Sequence, residues 1–120
     1  MKTNVSKLAK VNLAQKFRSF EDYWSPRIVG ELNDAYVKLV KLKGEFGWHH
    51  HEKEDELFFV AKGRLTLKLR GRDVDLKRGE FFVVPKGVEH KPVARKEVQV
   101  VLIEQKKVLS TQAIFGTNGP

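Results

Sequence analysis

Hydrophobic and polar residues alternate along most of the chain, in short runs separated by glycine-bearing turns. In the segment RLTLKL, Leu65, Leu67 and Leu69 fall on one face of a strand and their polar neighbours on the other. The segments RGRD, KRGE and PKGVE, and Asn33 with Asp34, have the composition of turns. Because strands do not alternate with helices, this pattern predicts an all-β sandwich or closed barrel and disfavours a parallel α/β sheet.

One helix is predicted, near the N-terminus. Leu13, Phe17 and Phe20 have helical spacing within residues 12–22, and Asn12 is placed to cap that helix. A helix-turn-helix reader of DNA is disfavoured, because a single helix does not make one.

The length of 120 residues indicates one compact domain, and the absence of cysteine fits a reducing compartment. Pro26 predicts a break after the helix, followed by extended chain. We therefore expect an N-terminal helix and extension at 1–26, a barrel at 27–104 and a C-terminal tail at 105–120.

The net charge of +8 raises the question of a nucleic-acid partner. The lysines are spread along the whole sequence, and no dense basic cluster with interleaved aromatic residues is seen. A charged surface without nucleic-acid binding is therefore favoured. An anionic small molecule fits either interpretation. The longest apolar runs, such as LFFVA, are too short to cross a bilayer, and the N-terminus lacks the apolar core of a signal peptide. We expect a cytoplasmic protein with no membrane partner.

Candidate site residues are concentrated in the stretch GWHHHEKEDELFF, which holds three of the four histidines. If residues 47–51 are extended, His49 and His51 point to one face and His50 points to the other. Glu56 heads an otherwise apolar strand, where burial without a partner would be costly, so a cation or a hydrogen-bond donor is expected beside it. The remaining acids of the stretch are interpreted as solvated turn charges: Glu52, Glu54 and Asp55.

Two spaced motifs link this stretch to the fourth histidine. The first is Gly44, His49, His51, Glu56 and Gly63, and the second is Gly79, Pro85, Gly87 and His90. Together they closely resemble the two motifs of the cupin superfamily, over at least residues 44–94. The chain departs from that pattern in the spacing before His49, which is one residue short, and at Ala94, where asparagine is frequent.

The resemblance implies a small antiparallel β-barrel, a double-stranded jelly roll, with a metal held inside. His49, His51 and His90 match the three histidine ligands of that family, and Glu56 matches its carboxylate ligand. A set of nitrogen and oxygen donors without sulfur suits one divalent transition metal, which could be Fe, Mn, Ni, Zn or Cu. The alternative is a polar cluster at the barrel mouth that binds no metal.

The resemblance does not name a reaction, because this fold carries unrelated functions. In general form the chain is similar to small single-domain cupins of the mannose-6-phosphate isomerase-like type. We expect a metal-dependent enzyme of the dioxygenase or sugar isomerase type, acting on a small-molecule ligand inside the barrel. The alternative is a non-catalytic module that binds or senses a small molecule. A storage role fits a single barrel poorly.

Further site residues cannot be fixed from the pattern. The acid–base candidates are Tyr36, Gln99 and Glu104, whose strand faces are undetermined. Lys38 and the lysines near 86–91 are possible anion contacts, although a solvated surface position is favoured for each. A homodimer is expected, as is common for small cupins, through SPRIVGEL and ELFFVAK. Phe59 in the second segment could equally lie under the N-terminal helix.

Overall fold

The computed structural model describes residues 8–106, which form one short helix and seven strands. All strand pairings among them are antiparallel, which confirms the all-β prediction. The elements are α1 (Leu13–Phe17), β1 (Arg27–Leu32), β2 (Ala35–Glu45), β3 (Glu56–Lys62), β4 (Arg64–Leu69), β5 (Arg72–Lys77), β6 (Phe81–Val84) and β7 (His90–Gln105).

The long strand β7 joins two layers of the sheet. Residues 98–105 of β7 lie between β2 and β3, in the order β1-β2-β7-β3-β6. Residues 90–93 pair with β4, which pairs in turn with β5. Because β2 also bends, with a register shift between Leu42 and Gly44, the two layers close around a common interior. The predicted jelly-roll barrel is confirmed.

The interior is filled by aliphatic and aromatic side chains from both layers. This packing leaves polar side chains to gather at one end of the barrel, where β3 and β7 begin. The buried core consists of Trp24, Val40, Leu42, Phe46, Phe58, Val60, Leu65, Leu67, Leu76, Val84, Ala94, Val98, Val100 and Leu102.

The N-terminal segment packs on the outer face of the larger layer. As predicted, Asn12 caps α1, and its side chain accepts a hydrogen bond from the Gln15 backbone N–H at 2.9 Å. The helix is shorter than expected, ending at Phe17. Phe17 and Phe20 pack with Leu39 and Val101 outside the barrel, and Phe59 packs against this cluster. Of the two positions expected for Phe59, the structure shows the one beneath the N-terminal segment.

Gly63, the last residue of the first motif, lies where the chain turns between β3 and β4. Its φ is +91°, and a Cβ added there would lie 2.9 Å from the Glu97 carbonyl oxygen. Gly79 has a similar φ of +87° but open space around that position. Alanine substitution at Gly79 therefore tests backbone strain alone, whereas alanine at Gly63 adds steric overlap to that strain.

We expect Gly79→Ala to lower the free energy of unfolding by about 1–2 kcal/mol, from left-handed backbone strain alone. Gly63→Ala should cost about 1 kcal/mol more, because its Cβ also overlaps the backbone of the neighbouring strand. Urea denaturation of both variants measures the difference. Equal losses would contradict the close approach at Gly63.

Candidate metal centre

The two motifs meet through a pair of backbone hydrogen bonds. The His49 N–H donates to the His90 carbonyl at 3.1 Å, and the His90 N–H donates to the His49 carbonyl at 2.9 Å. The expected extended segment at 47–51 forms only this isolated bridge and no longer strand. Side-chain direction nevertheless follows the prediction, since His51 is buried and His50 is exposed.

A second set of contacts fixes the loop that follows. The Gly87 N–H donates to the His51 carbonyl at 2.7 Å, and Gly87 has a φ of +80°, which favours glycine. The Lys86 N–H donates to the Asp55 carboxylate at 2.8 Å. Asp55 is exposed, but it is more than the solvated turn charge that was predicted, because it ties the two loops together.

The four side chains of the two motifs converge at the start of β3 and β7. One donor atom from each of His49, His51, Glu56 and His90 lies within 4.8 Å of all the others. The His51 Nε2 is 3.2 Å from the Glu56 Oε1, and the His90 Nε2 is 3.6 Å from the same oxygen. Glu56 and His90 are almost fully buried, at 1% and 0% exposure.

Backbone carbonyls set the orientation of two imidazole rings. The His49 Nδ1 lies 2.9 Å from the Gly47 carbonyl, and the His90 Nδ1 lies 3.0 Å from the Val88 carbonyl. A carbonyl oxygen only accepts hydrogen bonds, so each Nδ1 carries a proton, and in the neutral imidazole the lone pair that binds a metal is then on Nε2. Histidines that bind metals are held in this way by partners of their second nitrogen.

The donor set and the burial of its atoms fit a transition-metal ion. Among residues 8–106, the Glu56 Oε2 and the His90 Nε2 are buried without a hydrogen-bond partner. Each such atom costs about 1–3 kcal/mol of stability. A cation at the centre of the cluster would satisfy both, and three imidazoles with one carboxylate suit Fe, Mn, Ni, Zn or Cu.

Two groups of the cluster, His49 and Glu56, are held in the protonation states that bind a metal. Burial, together with the adjacent His90, lowers the pKa of His49 to about 4, so this imidazole is neutral at physiological pH. Burial alone would raise the pKa of Glu56, but the hydrogen bond with His51 and the nearby His90 lower it well below its usual range. Burial also acts to lower the pKa of His51, yet its hydrogen bond to Glu56 raises it.

A buried ion pair lies directly beside Glu56. Glu104 is the cross-strand partner of Glu56 on β7, and the Lys38 Nζ is 2.8 Å from the Glu104 Oε1. Exposure is only 3% for Lys38 and 2% for Glu104, so the solvated position favoured for Lys38 is wrong. Burial, and then the charge of Glu56, raise the pKa of Glu104 to about 7.

The structure separates the three acid–base candidates. Glu104 and its other cross-strand partner Tyr36 face the barrel interior. Gln99 shares its strand face with Val101, which packs in the outer cluster, so it points away from the interior. Of the lysines near 86–91, Lys91 forms a surface ion pair with Glu45 at 2.8 Å.

A closed antiparallel barrel with a buried cluster of three histidines and one glutamate defines a class of small proteins that could bind a metal. The family model described as a cupin domain matches residues 36–105, more than half of the chain. The chain belongs to the cupin family.

The chain is also similar to individual proteins, one of which is described as a cupin. A cupin-2 domain containing protein from Shewanella frigidimarina NCIMB 400 has a solved structure with 46% identity and a TM-score of 0.79, over 80% of this chain and 94% of that one. The uncharacterized protein YdbB of Bacillus subtilis is 33% identical over 64% of this chain and 78% of its own length.

A more distant relative has a named activity. The chain is 27% identical to 3-hydroxyanthranilate 3,4-dioxygenase of Danio rerio over 65% of its own length. The match spans only 28% of the length of that enzyme. This similarity is consistent with the family assignment.

Within residues 8–106, no helix has the length and apolar character needed to cross a membrane.

Proposed function

We propose that His49, His51, Glu56 and His90 bind one divalent transition metal, and that the chain is a metal-dependent oxygenase acting on a small molecule inside the barrel at 27–104. The observation that carries the proposal is the convergence of four donor atoms within 4.8 Å at a buried position. Burying this many polar atoms without a ligand would be costly.

Three features of the described residues support metal binding: the orientation of the imidazole rings, the charge of Glu56 and the burial of the cluster. Hydrogen bonds from the Nδ1 atoms of His49 and His90 to backbone carbonyls direct each Nε2 into the cluster. Glu56 contributes the negative charge, and burial excludes water and strengthens its electrostatic interactions. A bound metal with open positions would supply activation of dioxygen or polarisation of a substrate oxygen.

Oxygenase chemistry is favoured over sugar isomerisation by the similarity to 3-hydroxyanthranilate 3,4-dioxygenases. The isomerase-like prediction has no such support among the described relatives. Because the match covers only 28% of the Danio rerio enzyme, the substrate of that enzyme is not transferred to this chain.

The test is oxygen consumption by protein loaded anaerobically with Fe(II). We expect uptake of dioxygen on addition of a small cyclic substrate, beginning with 3-hydroxyanthranilate and then related ortho-substituted phenols. His51→Ala, which lacks one of the four donor atoms, is the negative control. Stoichiometric metal binding with no uptake for any compound would contradict the oxygenase proposal and favour the non-catalytic binding module.

The homodimer, the cytoplasmic location and the lack of a nucleic-acid partner stay predictions. Phe59 is an unsuitable anchor for the homodimer, because it packs against the N-terminal cluster. Light scattering at high protein concentration tests the oligomeric state directly.

A further inference from the structure

Arg72 extends the row of side chains that contains two of the proposed metal ligands. On the smaller layer, Arg72 pairs with Leu69, Leu69 pairs with His90, and His90 pairs with His49. Cross-strand partners point to the same face of a sheet, and His90 points into the barrel. Arg72 also shares its strand face with Val74 and Leu76, which pack in the core. Its side chain therefore belongs to the inner face, at the mouth of the barrel.

The guanidinium of Arg72 lies over an aromatic ring at the barrel mouth. Its Cζ is 6.0 Å from the centre of the Phe82 ring, and Phe82 packs against the interior core. Within residues 8–106, Arg72 forms no ion pair with a carboxylate. An exposed arginine at the rim of an apolar interior is well placed to bind an anionic group.

Arg70, two residues before Arg72, has its guanidinium occupied by other side chains. It forms an ion pair with Glu89 at 3.1 Å, and its guanidinium stacks 3.7 Å from the centre of the Trp48 ring. Both arginines border an open groove of about 480 Å³, lined by residues 69–72 and 87–89. Arg70 is thus engaged with neighbouring side chains, whereas Arg72 faces the groove with its charge available.

The spacing between Arg72 and the metal centre sets the size of a ligand. Two strand intervals separate Arg72 from His90, which places their Cα atoms about 10 Å apart. The long arginine side chain shortens that gap, so a ligand with a few atoms between its two ends could reach both points. Leu69, which pairs with both Arg72 and His90 and lines the groove, offers apolar surface between them.

We propose that Arg72 binds the terminal carboxylate or phosphate of a small organic anion whose other end lies at the metal centre. The inference rests on the proposed function, because it places one end of the ligand at the four-residue cluster. It assigns the substrate to the class of small organic acids or phosphates that carry an anionic group at one end and a metal-coordinating oxygen at the other.

Calorimetric titration of the Mn(II)-loaded protein tests this inference with simple probes. Glutarate has two carboxylates and butyrate has one, so their difference in affinity reports the second anion contact. We expect wild type to bind glutarate about tenfold more tightly than butyrate, as one charge-assisted contact would provide. 3-Phosphonopropionate is the third probe, and its rank against glutarate decides between phosphate and carboxylate.

The matched variants are Arg72→Gln and Arg70→Gln, which remove the same charge from neighbouring positions. Arg72→Gln should abolish the preference for glutarate and leave butyrate affinity and metal content unchanged. Arg70→Gln should keep the preference. Equal affinity of wild type for the two acids, or equal losses in the two variants, would overturn the inference. If the protein binds Fe(II) but not Mn(II), the same titrations are run anaerobically on the Fe(II) form. Wild-type protein that binds neither metal would instead overturn the proposed function, and this inference with it.

Discussion

Replacing His51 with alanine should lower the affinity of the protein for its metal by at least about a hundredfold, more than outer-shell substitutions usually cost. His51 supplies one of the four donor atoms that lie within 4.8 Å of one another, and its Nε2 also contacts Glu56. Loss of the imidazole leaves three donors and weakens the position of the carboxylate. Metal content by mass spectrometry, on protein purified without a histidine tag, gives the measurement.

His50→Ala is the matched control, because it removes the adjacent histidine whose side chain is exposed. This variant should retain wild-type metal content. Circular dichroism of both proteins after chelation shows whether the fold is kept, so that loss of metal is not confused with unfolding. If His50→Ala loses as much metal as His51→Ala, or if neither loses any, the proposed site is wrong.

The parity of an extended chain is enough to separate these two histidines by sequence. Residues two apart point to the same face, and this holds for His49 and His51 although they lie outside a regular strand. Glu56 is identifiable because a carboxylate is anomalous at the head of an apolar strand. Prediction of His90 as a site residue depends on the resemblance to the family, since a lone histidine after a strand has no distinguishing local pattern.

The same parity rule does not place Lys38 and Glu104. The five residues from Lys38 to Leu42 are all buried, because β2 faces the barrel interior on one side and the N-terminal cluster on the other. A strand covered on both faces shows no alternation of polar and apolar residues. The N-terminal segment buries Leu39 and Lys41 on the other face of β2, so the local pattern does not show which face of the strand holds Lys38.

Arg72 is not identified by the sequence pattern either, for a different reason. Its strand shows only weak alternation, with Val74 half-buried and Leu76 buried among charged neighbours. An arginine in phase with those two residues could have been identified as facing inward. The usual expectation that arginine lies at the surface outweighs so short a pattern.

Lys38→Met should lower the free energy of unfolding of the chelated protein by about 3–5 kcal/mol, the cost of leaving one member of a buried ion pair without its partner. Removing the ammonium group, which lies 2.8 Å from the Glu104 Oε1, leaves Glu104 buried beside the carboxylate of Glu56. The pKa of Glu104 is already about 7 beside Lys38 and rises further without the ammonium group, so Glu104 either stays a poorly solvated carboxylate next to Glu56 or takes up a proton, and each costs stability. Urea denaturation measures the loss.

Lys41→Met is the matched control, since Lys41 is a buried lysine three positions further along the same strand. Its Nζ donates to the Phe20 carbonyl at 2.6 Å, and within residues 8–106 it forms no ion pair. This variant should cost about 1.5–3 kcal/mol, the contribution of one hydrogen bond from a charged donor. A similar loss for both lysines would show that burial of the side chain, and not the ion pair, determines the effect.

The double variant Lys38→Met, Glu104→Leu decides why the pair is present. Apolar replacement of a buried ion pair is often neutral or stabilising, so the double variant should recover most of the stability that Lys38→Met loses. If it recovers stability while metal affinity or ligand binding falls, the pair serves the chemistry beside Glu56 and is not needed for folding. A double variant as unstable as the single one would contradict repulsion between the two carboxylates as the cause.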